Sequence, residues 1–255
     1  MVSTLVPDGD APRLFLDAPL SAGVRLTLER AQANYLLNVL RLRAGETVLV
    51  FNGRDGEWRA AIEVEGRKSA DLVAVERTRP QTEPADLLYL FAPLKHARLD
   101  YMVQKAVEMG AGALRPVFTR RTQASRVNLE RMRANVIEAA EQCGILNVPA
   151  VLEETDLEGA LRTLEPERIL VFCDENAPVS NPTEALAAHA AAPGNNKAKI
   201  AVIVGPEGGF TDEERARVAA HNRVVRVSLG PRILRADTAA VAALSVVQST
   251  LGDWR

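Results

Sequence analysis

The chain has 255 residues, of which 47% are hydrophobic and 25% charged, and its net charge is -2. This composition is typical of a folded protein with one large domain or two small ones, and it excludes disordered, collagen-like and coiled-coil proteins. No stretch approaches the roughly 20 apolar residues of a membrane helix. The first ten residues lack the basic and apolar segments of a signal peptide, so the sequence predicts a cytoplasmic protein.

The chain has few residues that bind metal ions tightly. It contains two cysteines and three histidines, which stand far apart in sequence: Cys143, Cys173, His96, His189 and His221. A zinc site needs three or four converging ligands, commonly with closely spaced cysteine or histidine pairs. The sequence therefore predicts neither a disulfide framework nor a metal site.

The first eighty residues alternate between apolar and polar side chains with a period of two. This pattern predicts strands over 47–51, 57–64 and 71–77, with a turn at 52–56 (NGRDG). Such short strands are typical of a small antiparallel β-barrel. Residues 78–85 (TRPQTEPA) contain two prolines and no apolar periodicity, so they predict a linker between a domain at 1–78 and a second domain at 86–255.

Beyond this linker, apolar strands alternate with amphipathic helices. The predicted strands cover 87–91, 114–118, 168–172, 199–204 and 224–228. The predicted helices cover 98–109, 128–144, a short segment opened by Thr155 and Glu158, 182–192, a segment opened by Thr211 and Glu214, and a last segment ending at Leu251. This order predicts an α/β domain with a mostly parallel sheet and helices on both faces.

Positive charge is concentrated in one part of the chain. Residues 95–133 contain nine Lys and Arg against three Asp and Glu, whereas residues 134–186 contain two against eleven. The basic part includes five arginines: Arg115, Arg120, Arg121, Arg126 and Arg131. Such a basic stripe favours a polyanionic partner such as nucleic acid, although a solvated helix face gives the same pattern.

Three late loops follow predicted strands and are candidate ligand loops. They are 173–176 (CDEN), 205–210 (GPEGGF) and 229–235 (LGPRILR). Ligands of open α/β sheets bind at the carboxyl ends of strands, and glycines let a ligand approach the main chain closely. Neither glycine loop has the spacing of a P-loop or a dinucleotide-binding motif. Glu207 would repel a phosphate but suits a ligand that carries an ammonium or sulfonium group, or one that offers N–H donors.

These loops and three further segments resemble one known family. The further segments are 39–53 (VLRLRAGETVLVFNG), 95–110 (KHARLDYMVQKAVEMG) and 138–144 (EAAEQCG), and the most specific matches are 204–210 (VGPEGGF) and 229–239 (LGPRILRADTA). Together they resemble the bacterial 16S ribosomal RNA uracil-N3 methyltransferases, the small-subunit methyltransferase E family of the SPOUT superfamily. The resemblance covers nearly the whole chain.

The resemblance implies a PUA-like β-barrel followed by an α/β domain with a deep trefoil knot, and a homodimer. It also implies that the protein transfers a methyl group from S-adenosylmethionine to N3 of one uridine in 16S rRNA of the 30S subunit. The residues that would hold the cofactor are Glu175, Gly205, Pro206, Glu207, Gly208, Leu229, Gly230, Ile233, Leu234 and Thr238.

Three positions depart from the family pattern. Asp237 stands where the family usually has Glu, which keeps the charge and shortens the side chain. Asn34 stands where a histidine often precedes the VLR segment, so no histidine base is available there. Ile145 replaces an arginine that commonly follows the EQ-x-G turn, which puts one expected RNA or dimer contact in doubt.

Methyl transfer to N3 of uridine develops negative charge on the carbonyl oxygens of the base, so a nearby arginine would stabilise the reaction. Arg235 is the first candidate for this role and Arg232 the second, because both lie in the late glycine loop. Glu207 and Asp237 are alternative proton acceptors, and a structural role is open for each. The candidate phosphate contacts are Arg13, Arg41, Arg43, Lys95, Arg120, Arg121 and Arg126.

Other functions stay open at this point. A binding-only protein, such as a ribosome-assembly factor, would keep the barrel and the basic stripe but would not need the glycine loops. The same fold methylating tRNA, or an α/β enzyme for another nucleotide, is a further alternative. Tyr101, Met102 and Met109 have the spacing of core or interface residues. The apolar segment 238–251 predicts a helix buried under the sheet or at a dimer interface.

Overall fold

The computed structural model describes residues 11–64, 69–95, 97–177, 181–190 and 199–254. The chain divides into two compact units. The first unit extends to Glu83 and also contains Ala140–Val148, and the second contains Pro84–Ala139 and the chain from Pro149 onward. The sequence predicted two contiguous domains, 1–78 and 86–255, and did not foresee the return of Ala140–Val148 to the first unit.

The first unit is built on a five-stranded sheet with the order β1-β3-β4-β5-β2. Its elements are β1 (Arg13–Phe15), β2 (Arg25–Thr27), α1 (Arg30–Asn34), a π-helical turn (Tyr35–Val39), β3 (Thr47–Phe51), β4 (Glu57–Val64) and β5 (Ala70–Arg79). The predicted strands correspond to β3, β4 and β5. The sheet is not fully antiparallel, because β1 pairs with β3 in parallel. The strand β5 also extends into the predicted linker, since Thr78 and Arg79 belong to it.

Strand β3 is buried on both faces, which explains the return of Ala140–Val148. Val48 and Val50 pack in the main core of the unit. Phe51, which points to the opposite side, packs against Ala140 and Leu146. The alternating pattern alone could not show that the second face of this strand is covered by residues ninety positions later.

A buried ion cluster connects the sheet with this returning segment. The carboxylate of Glu57 is 2% exposed and accepts hydrogen bonds from Arg13 Nε at 2.8 Å and from Arg79 Nη2 at 2.7 Å. Burial by itself raises the pKa of Glu57, but the two guanidinium groups outweigh it and hold that pKa below its usual value. Glu57 is therefore ionised in the folded protein.

The same two arginines bind main-chain oxygens of the returning segment. Arg13 donates to Ala140 O at 2.5 Å and Glu141 O at 2.8 Å, and Arg79 donates to Gly144 O at 3.0 Å. The side chain of Arg13 is only 6% exposed. This geometry gives Arg13 a structural role, and its buried guanidinium does not fit the phosphate contact that the sequence suggested.

The second unit is built on a parallel sheet with the order β12-β10-β11-β6-β7-β8, and β9 also pairs with β7. Its strands are β6 (Leu87–Phe91), β7 (Ala113–Phe118), β8 (Ala150–Val151), β9 (Thr155–Asp156), β10 (Ile169–Cys173), β11 (Ile200–Val204) and β12 (Val224–Val227). Its helices are α2 (Ala97–Glu108), α3 (Leu129–Gln142), α4 (Leu157–Arg162), α5 (Pro182–Ala190), α6 (Asp212–Ala219) and α7 (Ala236–Thr250). The last turn of α3 lies in the part of the chain assigned to the first unit.

Most of the predicted strands and helices of this unit are confirmed, and one helix start is wrong. Helix α4 is capped by Asp156, whose Oδ1 accepts from the N–H of Gly159 at 2.6 Å, and not by Thr155. Thr155 instead belongs to β9, which the sequence did not predict because two residues carry no periodicity. The end of the predicted helix at 191–192 lies outside the described residues.

Both faces of the parallel sheet are covered. On β10, Leu170 and Phe172 pack in a core with Leu157 of α4 and Val218 of α6. The residue between them, Val171, points to the opposite face and is also buried. Helix α7 contacts β11 and packs against α2 and α5. Within the ranges that the structure describes, none of the helices combines the length and the apolar character of a membrane-spanning segment.

We predict that Glu57→Gln lowers the free energy of unfolding of the first unit by about 3 kcal/mol, because it removes the carboxylate that pairs with the buried guanidinium of Arg13 and the partly buried one of Arg79. Urea unfolding followed by Trp58 fluorescence in a Trp254→Phe background measures this. The control is Arg54→Ala, which removes a pair with exposed Asp17 and is expected to cost less than about 0.5 kcal/mol.

The difference between wild type and Glu57→Gln is expected to shrink in acid. Because the pKa of Glu57 is lowered by folding, its stabilisation is present above the unfolded pKa and is lost as the pH falls through the folded pKa. A constant difference between pH 7 and pH 2, or a cost no larger than that of Arg54→Ala, would contradict the role given to this cluster.

Candidate functional site

Three loops meet at one edge of the parallel sheet. Strand β10 lies between β11 and β12, and all three run in the same direction. Their carboxyl ends, and the loops that follow them, are therefore neighbours. The loops form a cleft of about 210 Å³. Pockets that enclose drug-sized ligands typically measure roughly 300 to 1,000 Å³, so a larger ligand would remain partly in contact with solvent here.

The structure brings most of the candidate cofactor residues into this cleft. Those that line it are Glu175, Gly205, Pro206, Glu207, Gly208, Leu229, Gly230, Ile233 and Leu234. Thr238 is the exception and does not line the cleft. It lies in the first turn of α7, where its side chain is exposed to solvent. Residues that the sequence did not single out also contribute, including Val204, Phe210 and Ala239.

Gly205 is required by packing inside the loop. A Cβ atom on Gly205 would lie 2.6 Å from the ring of Phe210. Phe210 is 2% exposed and meets Phe172 edge to face, with 5.2 Å between ring centroids. The glycines of this loop predict close approach of a ligand, but at Gly205 an aromatic ring of the protein occupies that space. Gly209 is favoured for a different reason, because its φ angle of +66° lies in the left-handed region, which glycine adopts at little cost.

The capping box predicted at the start of α6 is confirmed, and it does more than cap the helix. Thr211 Oγ1 accepts from the N–H of Glu214 at 3.3 Å, and Glu214 Oε2 accepts from the N–H of Thr211 at 2.9 Å. The other oxygen of Glu214, Oε1, accepts from the N–H of Arg120 at 2.8 Å. This buried carboxylate therefore joins the loop after β11 to the loop after β7, residues 119–128, which forms the basic loop beside it.

Arg121 makes a second connection between these loops. Its Nη1 donates to Gly208 O at 2.7 Å, and its aliphatic part lies over Gly208. The candidate phosphate contacts Arg120, Arg121 and Arg126 all have exposed side chains in this basic loop. The structure thus places the basic loop directly beside the cleft.

The other candidate phosphate contacts lie elsewhere. Lys95 is exposed between β6 and α2. Arg41 and Arg43 are exposed in the first unit, after the π-helical turn, and Arg41 has the only positive φ angle, 60°, of any non-glycine residue among those the structure describes.

The two candidate catalytic arginines are exposed. Arg232 lines the cleft, and Arg235 is the residue before the first turn of α7. No ion pair joins either guanidinium to a carboxylate within the described ranges. Between them, Ile233 is 95% exposed although it is apolar. Exposing a large aliphatic side chain in a cleft is unfavourable by about 1.5 to 3 kcal/mol, which favours a site that a ligand or partner covers.

Two carboxylates near the cleft are the candidate proton acceptors. Glu207 Oε1 lies 3.5 Å from Arg98 Nη1, and both side chains are nearly half exposed. Asp237 Oδ1 accepts from the N–H of Thr238 at 2.8 Å. Of the two, Glu207 lines the cleft, and Asp237 lies in the first turn of α7, between the cleft residues Ala236 and Ala239.

Cys173 lines the cleft but is not a nucleophile. Burial, and to a lesser extent the neighbouring Asp174 carboxylate, raise the pKa of its thiol to about 12. The thiol therefore stays protonated at neutral pH. Within the ranges that the structure describes, no group of three histidine, cysteine or acidic side chains has the geometry of a metal site.

Asp174 is the residue at this edge that the sequence argument missed. Its side chain is fully buried and pairs with Arg226 of β12, at 2.6 Å, and with Arg215 of α6. One signal was available in the sequence, because Arg226 interrupts the apolar strand 224–227 (VVRV). A charged residue in such a strand needs a partner at the strand end, but the pattern does not say which one.

We predict that Gly205→Ala destabilises the second unit by about 1 to 3 kcal/mol, because the new methyl group collides with the Phe210 ring. Thermal unfolding measures the effect. In a Phe210→Leu background the same substitution is expected to cost clearly less, since leucine leaves room for the methyl group. Equal costs in both backgrounds would show that Phe210 is not the reason for glycine at this position.

Comparisons with known proteins agree with this architecture. The sequence matches an RNA methyltransferase domain over residues 81–248 and an RNA methyltransferase PUA domain over residues 28–75. Ribosomal RNA small subunit methyltransferase E of Synechocystis is 33% identical over 89% of this chain and 73% of its own length. The protein of the same name from Rickettsia conorii is 28% identical over 92% of this chain and 94% of its own length.

A solved structure gives the most direct comparison. Ribosomal RNA small subunit methyltransferase E from Neisseria gonorrhoeae, bound to S-adenosyl methionine, has a TM-score of 0.81 and 30% identity over 96% of this chain and 100% of its own. A Legionella pneumophila methyltransferase in complex with the same cofactor has a TM-score of 0.78 and 28% identity, over 94% of this chain and 97% of its own. The chain therefore belongs to the ribosomal RNA small subunit methyltransferase E family, with a PUA domain followed by an RNA methyltransferase domain.

Proposed function

We propose that this protein transfers a methyl group from S-adenosylmethionine to N3 of one uridine in 16S rRNA of the small ribosomal subunit. The observation that carries the proposal is the cleft formed by three neighbouring loops, which nine of the ten candidate cofactor residues line. A relative with the same fold is bound to S-adenosyl methionine. A binding-only protein would have no use for this cleft.

The residues of the cleft fit this cofactor. Apolar side chains of Val204, Leu229 and Leu234 suit an adenine ring, and the exposed Ile233 would be covered by it. The carboxylates of Glu207 and Asp237 would attract the positively charged end of the ligand. When bound, S-adenosylmethionine supplies a methyl group that is activated by the sulfonium.

The protein has to position the uracil, accept its N3 proton and stabilise the charge that forms. Arg235 is our first candidate for binding a carbonyl oxygen of the base, because it is exposed at the start of α7, between the cleft residues Leu234 and Ala236. Arg232, which is exposed and lines the cleft, is the second candidate. The N3 proton passes to Glu207 or Asp237 as the N3–CH₃ bond forms and the sulfonium–CH₃ bond breaks. Neutralising the uracil anion is the electrostatic part of the catalysis.

The exposed arginines beside the cleft would bind the rRNA backbone. Arg120, Arg121 and Arg126 belong to the basic loop that Glu214 and Gly208 fix in place. Further candidates for phosphate contacts are Lys95, Arg41 and Arg43. Arg13 is not one of them, because its side chain is buried. Phosphate contacts of this kind position the RNA, and they do not select its sequence.

The proposal includes a homodimer in the cytoplasm and a trefoil knot in the second domain. Helix α7 supports a second copy of the chain, because Val241, Ala242 and Val246 on it are only half-buried. The resemblance found in the sequence implies both the dimer and the knot.

The test is to incubate the purified protein with radiolabelled S-adenosylmethionine and 30S subunits from a strain that lacks this enzyme. Digestion and mass spectrometry then identify the labelled nucleoside. We expect N3-methyluridine at one position of 16S rRNA. Label in another nucleoside, or label in tRNA supplied in a parallel reaction with none in 30S subunits, would contradict the proposed substrate. Cofactor binding without any label would favour a binding function.

We predict that Arg235→Ala lowers kcat by about a hundredfold, because it removes a charge that stabilises the uracil anion. The Kd of S-adenosylmethionine is expected to stay within about twofold, measured by titration calorimetry. The control is Arg217→Ala on α6, whose partner Glu158 is exposed, and which should leave kcat unchanged. If Arg235→Ala changes only cofactor binding, Arg232→Ala becomes the variant that identifies the catalytic arginine.

We predict that Arg126→Ala raises the KM for 30S subunits by about threefold to tenfold and lowers the slope of log KM against log salt by about one, as expected for one phosphate contact. Thermal stability should not change, because Arg126 is exposed. Arg13→Ala is the opposite case, with a lower melting temperature as its main effect. A normal KM and salt slope for Arg126→Ala would exclude the basic loop from the RNA interface.

A further inference from the structure

The side chain of Asp174 is fully buried, and both of its carboxylate oxygens accept hydrogen bonds. Its Oδ1 accepts from the N–H of Asn176 at 3.0 Å and pairs with Arg215 Nη1. Its Oδ2 accepts from Arg226 Nη2 at 2.6 Å and from Arg226 Nε at 3.1 Å. A fully buried carboxylate is stable only when charged donors surround it in this way.

The two arginine partners of Asp174 lie next to the two other loops of the cleft. Asp174 itself begins the loop after β10. Arg226 lies on β12, three residues before Leu229 of the next loop, and the N–H of Asp174 also donates to Val227 O at 2.9 Å. Arg215 lies in the first turns of α6, directly after the loop 205–210. One carboxylate therefore connects all three loops.

The cluster brings opposite charges together. Arg215 Nη2 donates to Glu175 Oε1 at 2.6 Å, and the carboxylate of Asp212 also acts on Arg215. Without Asp174, the part of the cleft that contains Glu175 would gain one positive charge. S-adenosylmethionine carries one more positive charge than S-adenosylhomocysteine, which lacks the methyl group and has a neutral sulfur. An excess positive charge would therefore weaken binding of the substrate more than binding of the product.

We propose that Asp174 is a positioning residue of the cofactor cleft, which fixes the three loops and cancels the charge of Arg215 and Arg226 that would otherwise repel the sulfonium. This inference rests on the proposed function, because it assumes that the cleft binds S-adenosylmethionine. Asp174 is not assigned as the proton acceptor, since its two oxygens already pair with Arg215 and Arg226.

The experiment is titration calorimetry of S-adenosylmethionine and S-adenosylhomocysteine with each variant, and the decisive quantity is the ratio of the two Kd values. Asp174→Asn is expected to weaken both ligands about tenfold and to shift the ratio about threefold further against S-adenosylmethionine. Arg226→Gln should shift the ratio in the opposite direction, because it leaves an excess negative charge. Arg226→Lys keeps the charge and loses the two-pronged contact, so it should weaken both ligands without changing the ratio.

A matched control lies at the other end of the same strand. Arg168, just before β10, is 7% exposed and pairs with Glu165 and Asp86. Arg168→Gln removes a buried charge far from the cleft, so it should lower the melting temperature and leave the Kd ratio unchanged. A purely structural role of Asp174 predicts the same behaviour for Asp174→Asn.

The outcomes separate the two proposals. Ratio shifts of opposite sign in Asp174→Asn and Arg226→Gln, and their cancellation in the double variant, support the inference. An unchanged ratio in these variants, with normal binding by wild type, would overturn it. If Asp174→Asn does not fold, the two Arg226 variants test the inference instead. A shifted Kd ratio in Arg226→Gln with an unchanged ratio in Arg226→Lys supports it, and an unchanged ratio in both overturns it. Failure of the wild-type protein to bind either ligand would instead overturn the proposed function.

Discussion

The parallel pairing of β12, β10 and β11 is the constraint on which the candidate site depends. Parallel neighbours end at the same edge, so segments more than fifty residues apart in sequence form one cleft. Loops that follow strands are not rigid by themselves. At this edge of the sheet, two buried carboxylates hold them in place. Asp174 joins the three loops of the cleft, and Glu214 joins the loop after β11 to the basic loop. Precise positioning is what methyl transfer needs, because the reaction requires alignment of two reactants more than covalent help from the protein.

Much of this arrangement could be predicted from the sequence. Apolar runs located the five main strands of the second unit, and the Thr211–Glu214 spacing gave the start of α6. The glycine loops identified the cleft, since nine of ten candidate residues line it. These features depend on local patterns of one strand, one helix turn or one loop. The resemblance to a known family added the activity, which local patterns do not contain.

The features that the sequence did not show all depend on contacts between distant residues. Arg13 has the same appearance as an exposed arginine until its partner Glu57 and the main chain of Ala140 are known. The return of Ala140–Val148 to the first unit depends on the second buried face of β3. Asp174 looked like the first residue of a polar loop, and its burial depends on arginines 41 and 52 positions later. Gly205 was correctly placed at the cleft, but the reason for glycine is the Phe210 ring.

We propose that the loops 173–176, 205–210 and 229–235 together form the cofactor site. Hydrogen exchange of the wild-type protein with and without S-adenosylhomocysteine, read by mass spectrometry, tests this assignment. We expect slower exchange on binding in all three loops and little change in the strands β3 to β5 of the first unit. Protection that is absent from these loops, or confined to another part of the chain, would contradict it.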